Sequence, residues 1–203
     1  MKKLPLIALM ALALPVAAQA QDADASENNF AGTYAGITGA RKNITTHVAG
    51  NELKAKGWAP TLVLGYNAPI GEHFILGGEA NFTDVFGKKA NFTDAAGKKY
   101  SSDPKFGFGA SAHAGVLVMP QVMAYGLVGW QRQKADLLTT TPAVGTTAAT
   151  SVKSSQKISG MSYGGGLEFA MTSSSFLRAE YRYDDGKGKD HSNAISIGLG
   201  VRF

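Results

Sequence analysis

Apolar residues recur at every second position in segment after segment of this chain, and a 3.6-residue period is almost absent. Leu62, Leu64 and Tyr66 share one parity, as do Phe74, Leu76, Ala80 and Phe82. Phe106, Phe108, Ala110, Ala112, Ala114, Val116 and Val118 form a longer series, with Gly107, Gly109, Ser111 and His113 between them. The same alternation carries Met161, Tyr163, Leu167 and Phe169, then Leu177, Ala179, Tyr181 and Tyr183, and finally Ile195, Ile197, Leu199, Val201 and Phe203. With 30–40 and 122–131 added, eight strands are predicted. In 30–40, Tyr34 and Ile37 lie on opposite parities and either face can be the apolar one; in 122–131 both faces are apolar.

Composition narrows what such strands can build. The 203 residues include 25 glycines and no cysteine, only 17% are charged, and mean hydropathy is -0.06. Without cysteine there is no disulfide framework, thiolate metal site, cysteine nucleophile or lipoprotein anchor. Met1-Lys2-Lys3, the apolar run 4–16 and Ala18-Gln19-Ala20 read as a secretory signal over 1–20, with 21–29 a polar lead-in and 30–203 the folded domain. Loss of Lys2 and Lys3 would lower the formal charge from +5 and leave a mildly basic chain.

The connections decide the closure. Polar stretches at 41–57, 83–104, 132–157 and 184–191 read as long loops, whereas 67–73, 119–121 and 171–174 are short. Long and short links alternating around an even number of amphipathic strands fit an all-β, antiparallel, up-and-down transmembrane barrel. In lipid every backbone polar group must be paired internally, and a closed sheet does this without an edge. Short turns and both termini are placed in the periplasm and the long loops outside, in the outer membrane. An eight-stranded barrel has room inside only for side chains.

Residues 80–89 (ANFTDVFGKK) and 90–99 (ANFTDAAGKK) agree at eight of ten positions. They read as a tandem duplication that lengthens an outer loop, and an even shift of ten predicts unchanged strand facing.

The segments Tyr163-Gly164-Gly165-Gly166-Leu167-Glu168-Phe169 and Leu177-Arg178-Ala179-Glu180-Tyr181-Arg182-Tyr183 resemble strands six and seven of the small OmpA-like and opacity-type porin-family barrels. Phe30-Ala31-Gly32-Thr33-Tyr34-Ala35-Gly36 resembles the first strand of that family. The alternating last strand ending in Phe203 is similar to the C-terminal signature read by the barrel assembly machinery, which the resemblance therefore implies as a partner in biogenesis.

Glu79, Glu168, Arg178, Glu180, Arg182 and Arg202 fall on inward parities, and in a narrow lumen they are expected to pair, since an unpaired buried charge is strongly unfavourable. Lys88, Lys89, Lys98 and Lys99, with Lys54, Lys56, Lys134, Lys187 and Lys189, are assigned to outer loops, where they could meet lipopolysaccharide phosphates or a host or environmental ligand. His47, His73, His113 and His191 lack a metal-ligand spacing, so neither metal nor cofactor is expected, and no nucleic acid. Ser111 and His113 share one face but lack an evident carboxylate partner, and they face the lumen. The function predicted is a non-enzymatic surface protein that contributes to envelope integrity and makes contacts through its loops. A narrow porin for small solutes and a lipid A-modifying enzyme are the alternatives.

Overall fold

The computed structural model describes residues 29–48, 51–88, 90–143, 148–186 and 190–203. The signal segment and nearly all of the lead-in lie outside these residues. The chain folds into antiparallel strands β1 (Gly32–Val48), β2 (Asn51–Ile70), β3 (Phe74–Thr83), β4 (Phe86–Lys88), β5 (Ala90–Thr93), β6 (Lys99–Met119), β7 (Val122–Thr141), β8 (Thr150–Ala170), β9 (Ser175–Asp185) and β10 (His191–Arg202). Eight of them close a ring in the order β1, β10, β9, β8, β7, β6, β3, β2 and back to β1. β4 and β5 continue the wall beyond β3, β4 pairing with β2 and β5 with β6. Closure comes from Tyr34 opposite Arg202 on one side of β1 and Tyr34 opposite Gly65 on the other.

Outward positions carry the apolar alternation. Leu64, Leu76, Val116, Val128, Leu167, Leu177, Ile197 and Leu199 are exposed, while Tyr66, Phe74 and Phe169 ring the short-turn end and Trp58, Phe86, Phe106, Trp130 and Tyr181 ring the other. Amphipathic rings favour this placement at the two membrane–water interfaces. The structure also settles the two ambiguous strands. Tyr34, Tyr125 and Leu127 point inward and are buried, and Ile37, Val128 and Trp130 point outward.

Three of the four stretches read as long polar loops are mostly strand. Lys42 pairs with Gly57 and the ladder continues to Val48 opposite Asn51; Lys134 pairs with Lys157 and continues to Thr141 opposite Thr150; and 83–104 contains β4, β5 and the start of β6. In the fourth, Asp184 and Asp185 still belong to β9 and His191 already to β10. A membrane crossing takes about 9–11 tilted residues, yet β6 and β8 each have 21. The surplus stands beyond the outer aromatic ring as a β-walled extension. It escapes a hydropathy reading because threonine, serine and lysine occupy both of its parities and the period-two contrast disappears.

The duplicated segment does not keep its facing. Both ANFT copies pair with β6, Phe82 opposite Phe108 and Phe92 opposite Tyr100. Phe82 is exposed on the outer surface, whereas Phe92 stacks on Tyr100 with ring centroids 6.2 Å apart and packs on an internal cluster of Ala40, Ile44, Leu53, Ala55, Ala59 and Val85. The cause is a register shift in β6 between Pro104 and Gly107, where Lys105 and Phe106 oppose only Lys134. One extra residue reverses every side chain beyond it.

Candidate functional site

The inward face of the barrel forms one continuous stack that starts at the short-turn end. Phe30, Ile75, Met123, Tyr125, Leu127 and Ala170 make an apolar floor. Asn67 ties the floor together, donating from Nδ2 to the Phe30 carbonyl at 2.9 Å while its Oδ1 lies 2.8 Å from His113 Nε2. Inward glycines make room for these large groups. A Cβ at Gly65 would run into the Tyr34 ring, and one at Gly200 into Phe176.

Above the floor the six inward charges form a single alternating chain. Arg202 pairs with Glu168, Glu168 with Arg178 (Nη2 to Oε2, 2.8 Å), Arg178 with Glu79, Glu79 with Arg182 (3.4 Å), and Arg182 with Glu180 (2.9 Å). Three guanidinium groups thus meet three carboxylates across four strands, β3, β8, β9 and β10, with no net charge. Tyr34 donates to Glu79 at 3.0 Å and Tyr125 to Glu180 at 2.7 Å, so the carboxylates accept further hydrogen bonds. The Arg178 guanidinium lies 5.0 Å from the Tyr34 ring centroid, 5.5 Å from Tyr125 and 5.3 Å from Phe176. Arg202 lies 4.5 Å from Phe176 and also donates to the Asn29 carbonyl at 2.6 Å. Contacts of this kind compensate for lost hydration that the ion pairs alone would leave uncovered.

Higher in the lumen a cavity of about 50 Å³ separates this chain from a second polar closure. There Lys42 Nζ meets Asp184 at 2.9 Å, and Ser162 (2.8 Å) and Ser192 (2.9 Å) donate to the same carboxylate. Gln131 and Asn81 bridge the cavity wall at 3.1 Å. Beyond Asp184 the lumen opens into the extension, where Thr45, Thr46, Ser102 and Gln133 line the mouth.

Sequence parity alone had not placed Tyr34, Tyr125, Asn67, Lys42 or Asp184 in the lumen. A signal for two of them was present. Gln131 and Gln133 share the parity of Tyr125, and Gly32 and Gly36 share that of Tyr34; polar residues and glycines mark the inward face elsewhere. Of the cationic residues assigned to outer loops, Lys88 is the last residue of β4, Lys89 lies outside the described residues, Lys98 sits in the turn after β5 with its ammonium 5.7 Å from the Tyr100 ring, and Lys99 begins β6. Ser111 and His113 are both buried inward, with His113 held by Asn67 and set edge-on to Tyr125. His47 and His191 stand in strands of the extension rather than in loops.

Residues 6–203 match the family model described as the outer membrane protein β-barrel domain. Solved structures with the same architecture include Ail, the attachment invasion locus protein of Yersinia pestis, at 18% identity and a TM-score of 0.55, covering 85% of this chain and 99% of that one. Neisserial surface protein A matches at 19% identity and a TM-score of 0.50, covering 84% and 97%. At these identities the likeness is one of fold. No curated protein sequence matches the chain.

Proposed function

Because this chain belongs to the outer membrane protein β-barrel family, we propose that it is a non-enzymatic surface barrel whose lumen is closed and whose outward extension makes its contacts. The carrying observation is the blocked lumen: an apolar floor, an alternating chain of six charges and the Lys42–Asp184 closure lie one above another. The hydrogen bond from His113 to Asn67, rather than to a carboxylate, supports the non-enzymatic reading.

In this reading the short turns and both termini are periplasmic and the extension is extracellular. Phe203, whose amide donates to the Thr33 carbonyl at the seam between β1 and β10, is the element offered to the barrel assembly machinery. Outer-leaflet lipopolysaccharide is the lateral partner. Arg41, Lys56, Arg132 and Lys134 take outward parities next to Trp58, Trp130 and Phe106, at the height where phosphates sit above an aromatic ring. Lys134 Nζ lies 5.7 Å from the Phe106 ring. Lys98 and Lys99, at the far tip, are left for a soluble or host ligand.

Two measurements test this reading. Protein reconstituted in planar bilayers should give no steady channel events; reproducible openings would instead establish a narrow porin. The cysteine-free chain also permits clean labelling of single cysteines in intact cells. Ser155→Cys, in the extension, should react with a membrane-impermeant maleimide, and Ser173→Cys, in the β8–β9 turn, only after lysis. The reverse pattern would invert the orientation.

A further inference from the structure

Among the described residues, the wall of the extension is incomplete on one side. β8 has 21 residues, but its neighbour β9 has 11 and β10 has 12. β9 pairs with β8 only from Met161 opposite Asp185 downward, whereas β7 follows β8 all the way to Thr141 opposite Thr150. A Cβ at Gly160 would meet the Asp185 carbonyl, so the top of β9 still abuts β8 at that level. Above it, over residues 150–157, β8 keeps its strand geometry and no strand among the described residues pairs with its second edge. All eight residues are exposed.

An open edge presents alternate N–H and C=O groups in ladder geometry, and an incoming strand fits at about 4.8 Å from it. Above the β9–β10 hairpin no strand among the described residues occupies this space. The edge carries no proline, and residues 150–160 contain no carboxylate. Lys153 and Lys157, four apart, share the outward face and stand opposite Leu138 and Lys134 of β7. Thr150, Val152, Ser154 and Gln156 form the other face. A second copy of the same edge would bring lysine against lysine, which disfavours self-pairing. Asp185 bounds the site at its lower end.

We propose that the free edge of β8 over residues 150–157 is a strand-addition site for an extended acidic segment of a partner protein. The segment's backbone continues the ladder, and two of its carboxylates, four residues apart, meet Lys153 and Lys157. The proposal rests on the extracellular placement of the extension, which the cysteine labelling above tests separately.

The experiment uses full-length mature protein refolded in lipid nanodiscs that contain lipopolysaccharide. The probe is a fluorescent eight-residue peptide of alternating threonine and valine with glutamates at two positions four apart. Saturable binding by anisotropy, together with slowed amide exchange confined to β8 and its new neighbour, is expected. The double variant Lys153→Glu/Lys157→Glu should weaken binding at least about ten-fold, and a peptide with lysines in place of its glutamates should recover it. Equal binding by a peptide N-methylated along its pairing edge overturns strand addition. So does the absence of saturation into the millimolar range. Exchange protection that grows with protein concentration without peptide assigns the edge to a second copy, and binding seen only in nanodiscs without lipopolysaccharide assigns the lysines to lipid; either outcome overturns the proposal.

Discussion

Replacing Arg178 by methionine is expected to cost about 3 kcal/mol of folding stability, the lower part of the range for breaking a buried ion pair from one side. Arg178 is almost fully buried and is the central link of the lumenal chain, joined to both Glu79 and Glu168. Its loss leaves those carboxylates in a water-poor interior with one cation each, Arg182 for Glu79 and Arg202 for Glu168. That residual pairing keeps the cost away from the upper end. The substitution also removes the cation shared by the rings of Tyr34, Tyr125 and Phe176. Glu180→Gln should cost less, because Glu180 ends the chain and the amide oxygen of its neutral replacement can still accept from Arg182 while its NH2 donates to the Tyr125 hydroxyl. Combining Arg178→Met with Glu79→Gln should restore part of the loss, since it leaves two matched pairs, Glu168 with Arg202 and Glu180 with Arg182, and no surplus carboxylate. Urea titration in detergent micelles, followed by the fluorescence of Trp58 and Trp130, reads all three. A loss below about 1 kcal/mol for Arg178→Met would mean that the lumen is wet enough to screen the chain.

The inward charges were legible because a two-residue period leaves them no alternative. Glu168 between Leu167 and Phe169, or Arg178 between Leu177 and Ala179, can only face away from lipid. Which charge meets which was not legible. Arg178 and Glu79 are 99 residues apart, and their meeting depends on ring closure and register across the lumen. Tyr34 and Tyr125 resisted for a chemical reason, since a phenol suits a lipid interface and a lumenal hydrogen bond equally well. The extension resisted because polar residues occupy both of its faces, so a ladder that is regular in backbone carries no alternation in side chains. The bulge at Lys105 and Phe106 is the sharpest case. An even repeat predicts constant facing, and one additional residue in the partner strand reverses it.

Ile197→Arg is the test of where lipid begins and ends. Ile197 lies midway along the outward row Ile195, Ile197, Leu199 and Val201 and is 63% exposed, so in water its replacement by arginine would matter little. In a bilayer the same substitution should cost about 2–4 kcal/mol, the range for a cation near the midplane on the lipid face of a barrel. Leu138→Arg provides the contrast. Leu138 is also outward and exposed, but it stands in the extension on β7, opposite Lys153. Its substitution should stay within about 0.5 kcal/mol. Trp130→Arg, at the outer aromatic ring between them, should fall at an intermediate value. Equilibrium folding of the three variants into phospholipid vesicles gives the comparison directly. A large penalty at Leu138 would place the extension in lipid and close the β8 edge to any soluble partner. A negligible one at Ile197 would remove the outward alternation from the membrane altogether.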